Sequence, residues 1–408
     1  MSSSGRLALT TILLVAGSLS CAKTRDPDAA ALASTSWQSV LARARGTTVV
    51  WRMWRGDPSI NAYVDGWVTP RLLARYGVTL RAVQGQGAEI VNQLVVERQV
   101  GHAGSADLLW INGETFASLR KEGLLYGPWA GRLPNASAVD SGSPIVSRDF
   151  EQDPLGYESP WGTVQFALIY DTVRTPNPPR SVAELGTWID AHPSRFTHDQ
   201  GFTGVTFLKT LMYALSGGVA QFQGGFDEAR YAAGRRSVFE WLGTHRRFFW
   251  REGTVYPPDV AAVHRLFANG EVDFSMSDNQ NDVITKIRQG ILPSTARPLL
   301  LRDGTIANTH YVGIPFNASN PSGAMVVADF LLSAEAQYEK QKPEVWADGT
   351  VLNPSKLPPD WSARFFGLRK DSRALPADSL RRYARPEVSP EYHSRLAADW
   401  RLRIRQAQ

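Results

Sequence analysis

The chain has 408 residues, 43% of them hydrophobic, and its 44 Lys and Arg against 39 Asp and Glu leave a net charge of +5. That length supports two domains with their own cores, and the balance excludes a disordered polyelectrolyte and a membrane bundle. Its only cysteine, Cys21, excludes a disulfide within the chain.

Arg6, the 13-residue apolar run LALTTILLVAGSL and the small residues after it read as a secretory signal over 1–20. The run is too short to span a bilayer as a mature helix. A cysteine directly after such a signal resembles the acceptor of a bacterial lipoprotein, although Ser18 stands where lipoproteins usually carry Leu. Lipid attachment at Cys21 and ordinary cleavage after Ser20 both stay open. The small, polar composition that follows makes 21–46 a tether.

From Thr47 onward, short β-rich runs alternate with helical periodicity, which predicts an α/β fold with mostly parallel sheets. Thr48–Trp54 is the first strand. Asp57 then caps a helix with Pro58 at its first position and Ile60, Tyr63, Val64 and Trp67 at helical spacing. Thr69 and Pro70 open a second helix that Gly77 ends. Val78–Val83 is a strand, Ala88–Val100 a helix, and ADLLWI at 106–111 a strand buried on both faces. It stops at Asn112, Gly113 and Glu114, where another helix runs to Gly123.

A Pro- and Gly-rich stretch, 127–162, precedes the strand VQFALIY at 164–170, and Ser181 caps the helix carrying Leu185 and Trp188. Helical patterns continue to about Phe267. A strand at Val272–Met276 ends in the polar cluster Asp278, Asn279 and Asn281. YVGIPF at 311–316 is a further strand, before an amphipathic helix over Ser322–Leu332. The Arg-rich end from Arg364 to Arg405 has acids interleaved and reads as a solvated face.

Common catalytic signatures are missing. There is no HExxH, CxxC or G-x-S-x-G, GQGAEI at 85–90 lacks the third glycine of a dinucleotide fingerprint, and no Walker A occurs. Glu114 and Asp278 remain as a conceivable acid/base pair of an exported hydrolase. Polar and aromatic residues instead recur at the carboxyl ends of predicted strands, the edge where open α/β sheets bind small ligands. Each also has a plain structural reading: Asp57 as a cap, Asn112 and Gly113 as a turn, Trp161 as core beside Pro160.

Several segments resemble the solute-binding proteins of bacterial ABC importers. FANGEVDFSMS at 267–277, FLLSAEAQ at 330–337 and SVAEL at 181–185 with HPSRFT at 192–197 have that family's cast. WINGETFASLRKEGLLYGPW at 110–129 and GYESPWGTVQFALIYDT at 156–172 are similar to its YnjB-type branch, related to thiamine, polyamine and ferric-ion binders. The likeness runs from about Thr47 to Trp400. It implies a two-lobe, type II periplasmic-binding fold with crossings near Tyr157–Gln165 and Arg302–Ile314. Lobe 1 would comprise 47–160 and 306–345, lobe 2 161–305, with 346–408 as C-terminal helices packing on both.

The resemblance implies a monomeric, exported receptor that hands a solute to a permease and ATPase, with no catalysis, cofactor, metal or nucleic acid. The expected ligand-facing set is Trp54, Asp57, Asn112, Glu114, Tyr157, Trp161, Asp278 and Asn281. Carboxylates mixed with ring faces suit an organic cation, thiamine-like or polyamine-like. The same Trp and Asn residues would suit a carbohydrate. No Tyr-Tyr pair is present for ferric iron, and Arg55 leaves room for an anionic group on the ligand.

Overall fold

The computed structural model describes residues 35–101, 103–368 and 371–407, so the expected signal and Cys21 lie outside the described residues. The expected tether is shorter than 21–46, because Trp37–Ala44 is a helix. Ser36 caps it through its side-chain oxygen, and Val40 and Ala44 are buried where it packs on the helix Pro321–Leu331.

Among the described residues nine strands follow: β1 (Thr48–Met53), β2 (Thr79–Gln84), β3 (Leu108–Ile111), β4 (Glu158–Gln165), β5 (Ala167–Asp171), β6 (Phe274–Ser277), β7 (Ala296–Leu299), β8 (Thr305–Gly313) and β9 (Ala384–Arg385). One sheet has the order β2-β1-β3-β8-β4, with β9 on β8; the other is β6-β5-β7. β1 is parallel to β2 and β3, as the βαβ alternation requires. Asp107 locks that edge, its carboxylate accepting from Val50 N at 2.9 Å and Asn320 N at 2.7 Å.

The α/β architecture is as expected, but the strand directions are not mostly parallel. β8 runs antiparallel to β3 and β4, and β5 runs antiparallel to both β6 and β7. A strand buried on both faces gives a continuous apolar run whichever way its neighbour points. Direction is set by the connections, and these carry no periodicity.

The run expected as one strand over 164–170 is two. β4 ends at Gln165, β5 begins at Ala167, and between them Phe166 carries the chain from the larger sheet to the smaller. The chain returns between β7 and β8. Each sheet has its own packing: Ile90, Leu94, Leu109, Phe116 and Tyr311 beside the larger, Phe166, Leu168, Phe207, Phe274 and Leu299 beside the smaller. After β9, Val388, Tyr392, Leu396 and Trp400 join the second cluster. The helix Pro390–Ala407 packs on both Gly113–Lys121 and Phe202–Leu215. The C-terminal segment therefore touches helices belonging to each sheet.

Candidate functional site

A cavity of about 560 Å³ lies along β8. Its walls are the segment 144–152, the loop 223–225, the middle of β8 at 307–309 and the stretch 386–389. Glu151 joins two of these walls, its carboxylate accepting from Gly224 N at 3.1 Å and Gly225 N at 3.2 Å. Phe150 and Glu151 both adopt left-handed backbone, with φ of 48° and 63°. Such conformations cost about 1–3 kcal/mol per residue and persist where surrounding contacts dictate them. The contact is visible: a Cβ on Gly113 would lie 2.3 Å from the Phe150 ring, so only glycine opens that helix.

Glu387, on the cavity wall, belongs to a buried charge cluster. Lys209, on the helix Phe202–Leu215, is fully buried, and its ammonium donates to both carboxylate oxygens of Glu387 at 2.6 Å each. Glu387 also accepts from Asn308 Nδ2 at 3.4 Å. Burial pushes the Glu114 carboxyl up to about 7, with Glu387 adding to the rise and Lys209 opposing it. Burial likewise raises Asp278, which accepts from Thr203 Oγ1 at 2.7 Å and lies in the field of Lys209.

Asp149 and Glu158 are buried; among the described residues neither oxygen of Glu158 has a hydrogen-bond partner, and the Asp149 carboxyl has only the Gly113 backbone beside it. Burial raises both, Glu114 raises Asp149 further, and Asp149 raises Glu158. Glu114, Asp278 and Glu387 thus lie in the field of one buried lysine, while Asp149 neighbours Glu114 and Glu387 and Glu158 neighbours Asp149 and Arg120, and all five are held above the ordinary carboxylate range. Carboxyls in this state gain from an added positive charge. Among the described residues, no three or more His, Cys, Asp and Glu are grouped to hold a metal ion.

The remaining expected residues fall elsewhere. Asp57 does cap its helix, accepting from Ser59 N at 2.7 Å and Ile60 N at 3.4 Å, and it also pairs with buried Lys286. Its charge is already met. Beside that pair, Gln289 Nε2 donates to Ser59 Oγ at 2.7 Å and Asn281 Nδ2 to the Ala347 carbonyl at 3.2 Å. These bonds tie the end of β1 and residue 347 to the segment after β6.

Half-buried Trp54 lies over Gly56, where a Cβ would meet its ring at 2.5 Å. Trp161, expected to face ligand, is wholly buried at 0% exposure, with Trp110, Trp346 and Trp51 rings centred 4.8, 5.2 and 5.3 Å away. The β-bulge between Pro160 and Gly162 turns it into that cluster. Tyr157 lies beneath the Arg120 guanidinium, 3.5 Å from its ring centroid, among the apolar residues of the larger sheet. Asn112 opens its helix without a side-chain capping bond.

Of the expected set, then, Glu114 and Asp278 share one electrostatic neighbourhood, whereas Asp57 and Asn281 share another. Lys209, Glu387, Asp149 and Phe150 were not expected. Lys209 left a trace: it is the one charged residue in FTGVTFLKTLMYAL, a helix otherwise apolar or hydroxyl-bearing. A lone lysine in such a run must be paired.

The bacterial extracellular solute-binding protein family model matches residues 71–364. The chain is 37% identical to Protein YnjB of Escherichia coli K12 over 330 residues, covering 80% of this chain and 84% of that protein. In structure it is similar to an ABC transporter substrate-binding protein from Bradyrhizobium japonicum, with TM-score 0.64, 14% identity, and 89% and 99% of the two chains covered. It is also similar to the spermidine/putrescine ABC transporter substrate-binding protein PotD from Streptococcus pneumoniae, with TM-score 0.62, 11% identity, and 88% and 99% covered. Iron-bound HitA from Pseudomonas aeruginosa gives TM-score 0.59, 16% identity, and 88% and 99% covered. The sheet order, the two passages between sheets and these matches agree, and the chain belongs to the family of bacterial extracellular solute-binding proteins.

Proposed function

We propose that this solute-binding component of an ABC transporter captures a small organic cation in the cavity along β8 and delivers it unchanged to a membrane permease. The lobes of this reading are 47–160 with 306–345 and 161–305, and 346–408 packs on both. A solute touching both lobes favours the closed arrangement by its differential affinity for the two states, and the permease engages that arrangement. The protein works outside the cytoplasm after export, held to the membrane by a lipid on Cys21.

The observation that carries the reading is Glu387 on the cavity wall, bound to the buried ammonium of Lys209, which also lies in the field of the buried Glu114 and Asp278 carboxyls. A guest cation lowers the cost of ionising them, whereas a neutral sugar leaves that cost in place. The cavity volume of about 560 Å³ is within the range of small-molecule sites. The similar Streptococcus protein is named for spermidine and putrescine, one of several ligand classes among the structures this chain resembles.

Melting the purified protein with putrescine, spermidine, thiamine and glucose tests this. At a hundredfold excess over Kd, binding adds about 2.7 kcal/mol. For a chain this long, that is a rise of about 3 °C. Stabilisation by an amine or thiamine, with the compound recovered intact, is expected. Stabilisation by glucose alone, or breakdown of a probe that is lost in Glu114→Gln, would overturn the reading.

A further inference from the structure

The surroundings of Lys209 are those of a bound ammonium ion. Its Nζ has Glu387 oxygens at 2.6 Å, the Phe150 ring centroid at 4.8 Å and the Phe202 ring centroid at 5.7 Å. These come from three separate segments: the stretch before β4, the start of the helix Phe202–Leu215, and the chain after β9. A carboxylate and two ring faces converging on N–H donors would hold a free ammonium as well as a tethered one. Phe150 and Glu387 also line the cavity, so the box shares two walls with the space assigned to the solute.

We propose that this box is the ammonium subsite of the solute site, filled here by the protein's own lysine, and that a primary ammonium of the solute takes the place of Lys209. The inference rests on the organic-cation reading and narrows it. Both oxygens of Glu387 accept from N–H donors, so a primary ammonium, with three, satisfies the box and a quaternary ammonium, with none, is rejected. Exchange of one ammonium for another keeps a positive charge beside Glu114 and Glu387, and Asp278, already in the field of Lys209, receives the displaced side chain. Lys209 then acts as an internal competitor that occupies the box when no solute is present and sets the apparent affinity.

The test compares wild type, Lys209→Met, and the double variant Lys209→Met/Glu387→Gln. Each is melted alone and with n-butylammonium, putrescine or tetramethylammonium, and putrescine binding is measured by calorimetry. Lys209→Met alone is expected to melt lower, to recover with butylammonium and putrescine but not with tetramethylammonium, and to bind putrescine about tenfold more tightly than wild type. The double variant removes both charges, so it should stay folded and respond to none of the cations.

Lys209→Met with unchanged or weaker putrescine affinity would overturn the box while leaving the cation reading intact if wild type binds amines. Failure of butylammonium and putrescine to restore Lys209→Met, or equal recovery with tetramethylammonium, would also overturn the box. Recovery of Lys209→Met by butylammonium, with wild type blind to every cation, would be rescue of a deleted side chain only, and would overturn the box and the cation reading together.

Discussion

Replacing Lys286 by Met tests whether the contact between the end of β1 and the segment after β6 is held by charge. The Lys286 and Asp57 side chains are only 6% and 9% exposed, and Lys286 also reaches Asp282 at 3.5 Å. Orphaning one partner of a buried pair costs about 3–5 kcal/mol. Two backbone donors still hold Asp57 as a helix cap, so a loss of about 3 kcal/mol is expected for Lys286→Met. Asp57→Asn keeps the cap, since asparagine caps as well as aspartate, and leaves Lys286 with Asp282; a loss of about 1–2 kcal/mol follows. With both changes no charge is stranded between the two positions. The double variant should therefore lose less than the two single losses together, by about 2–3 kcal/mol. Equilibrium urea unfolding, with the slope checked for constancy, measures all four corners of the cycle. A Lys286→Met cost below about 0.5 kcal/mol, or simple addition in the double variant, would refute the argument.

Other consequences follow from the same structure. Glu114 has a folded pKa raised from 4.5 to about 7, so the stability it contributes is full below 4.5 and is lost as pH rises to about 7. Glu114→Gln should therefore stabilise the fold at about pH 8 by up to about 3 kcal/mol, raising its melting point there, and change little at about pH 4. An equal effect at both pH values, or destabilisation at the higher, would contradict the raised carboxyl. Trp161→Ala should remove about 3–5 kcal/mol, the usual loss for a fully buried aromatic residue. It should also disturb the near-ultraviolet signal of the surrounding tryptophans. A loss under about 1 kcal/mol would show that Trp161 is not packed as described.

Much of the fold was readable where a local rule suffices. The β1 strand, the Asp57 cap followed by Pro58, and β3 stand where periodicity and capping chemistry put them. The break at Phe166 was hidden because apolar residues continue through it, and a passage between sheets needs no turn residue. β8 begins at Thr305, ahead of the apolar run at 311–316 that marks it in the sequence, because its first half, Thr305–His310, is largely polar. Those residues are mostly buried all the same, since neighbouring segments cover them: Thr309 Oγ1 donates to the Ile145 carbonyl and Asn308 to Glu387.

The site was legible only in part for a related reason. Glu114 and Asp278 could be found because strand ends are a local feature and both stand at one. The Lys209–Glu387 pair links positions 178 residues apart, one inside a helix and one in a stretch that reads as solvated. No pattern along the chain joins them. Trp161 is ambiguous in the sequence because tryptophan serves binding and core equally, and the bulge that decides between them is a property of β4 paired to β8.

The most direct test of the central claim is to weigh the protein under native conditions as it leaves its own cells, before and after mild denaturation, and to identify whatever small molecule is released. A compound bearing a primary ammonium, released intact at one per chain, is the expected result. A neutral sugar, an anion or a ferric ion in its place would contradict the account.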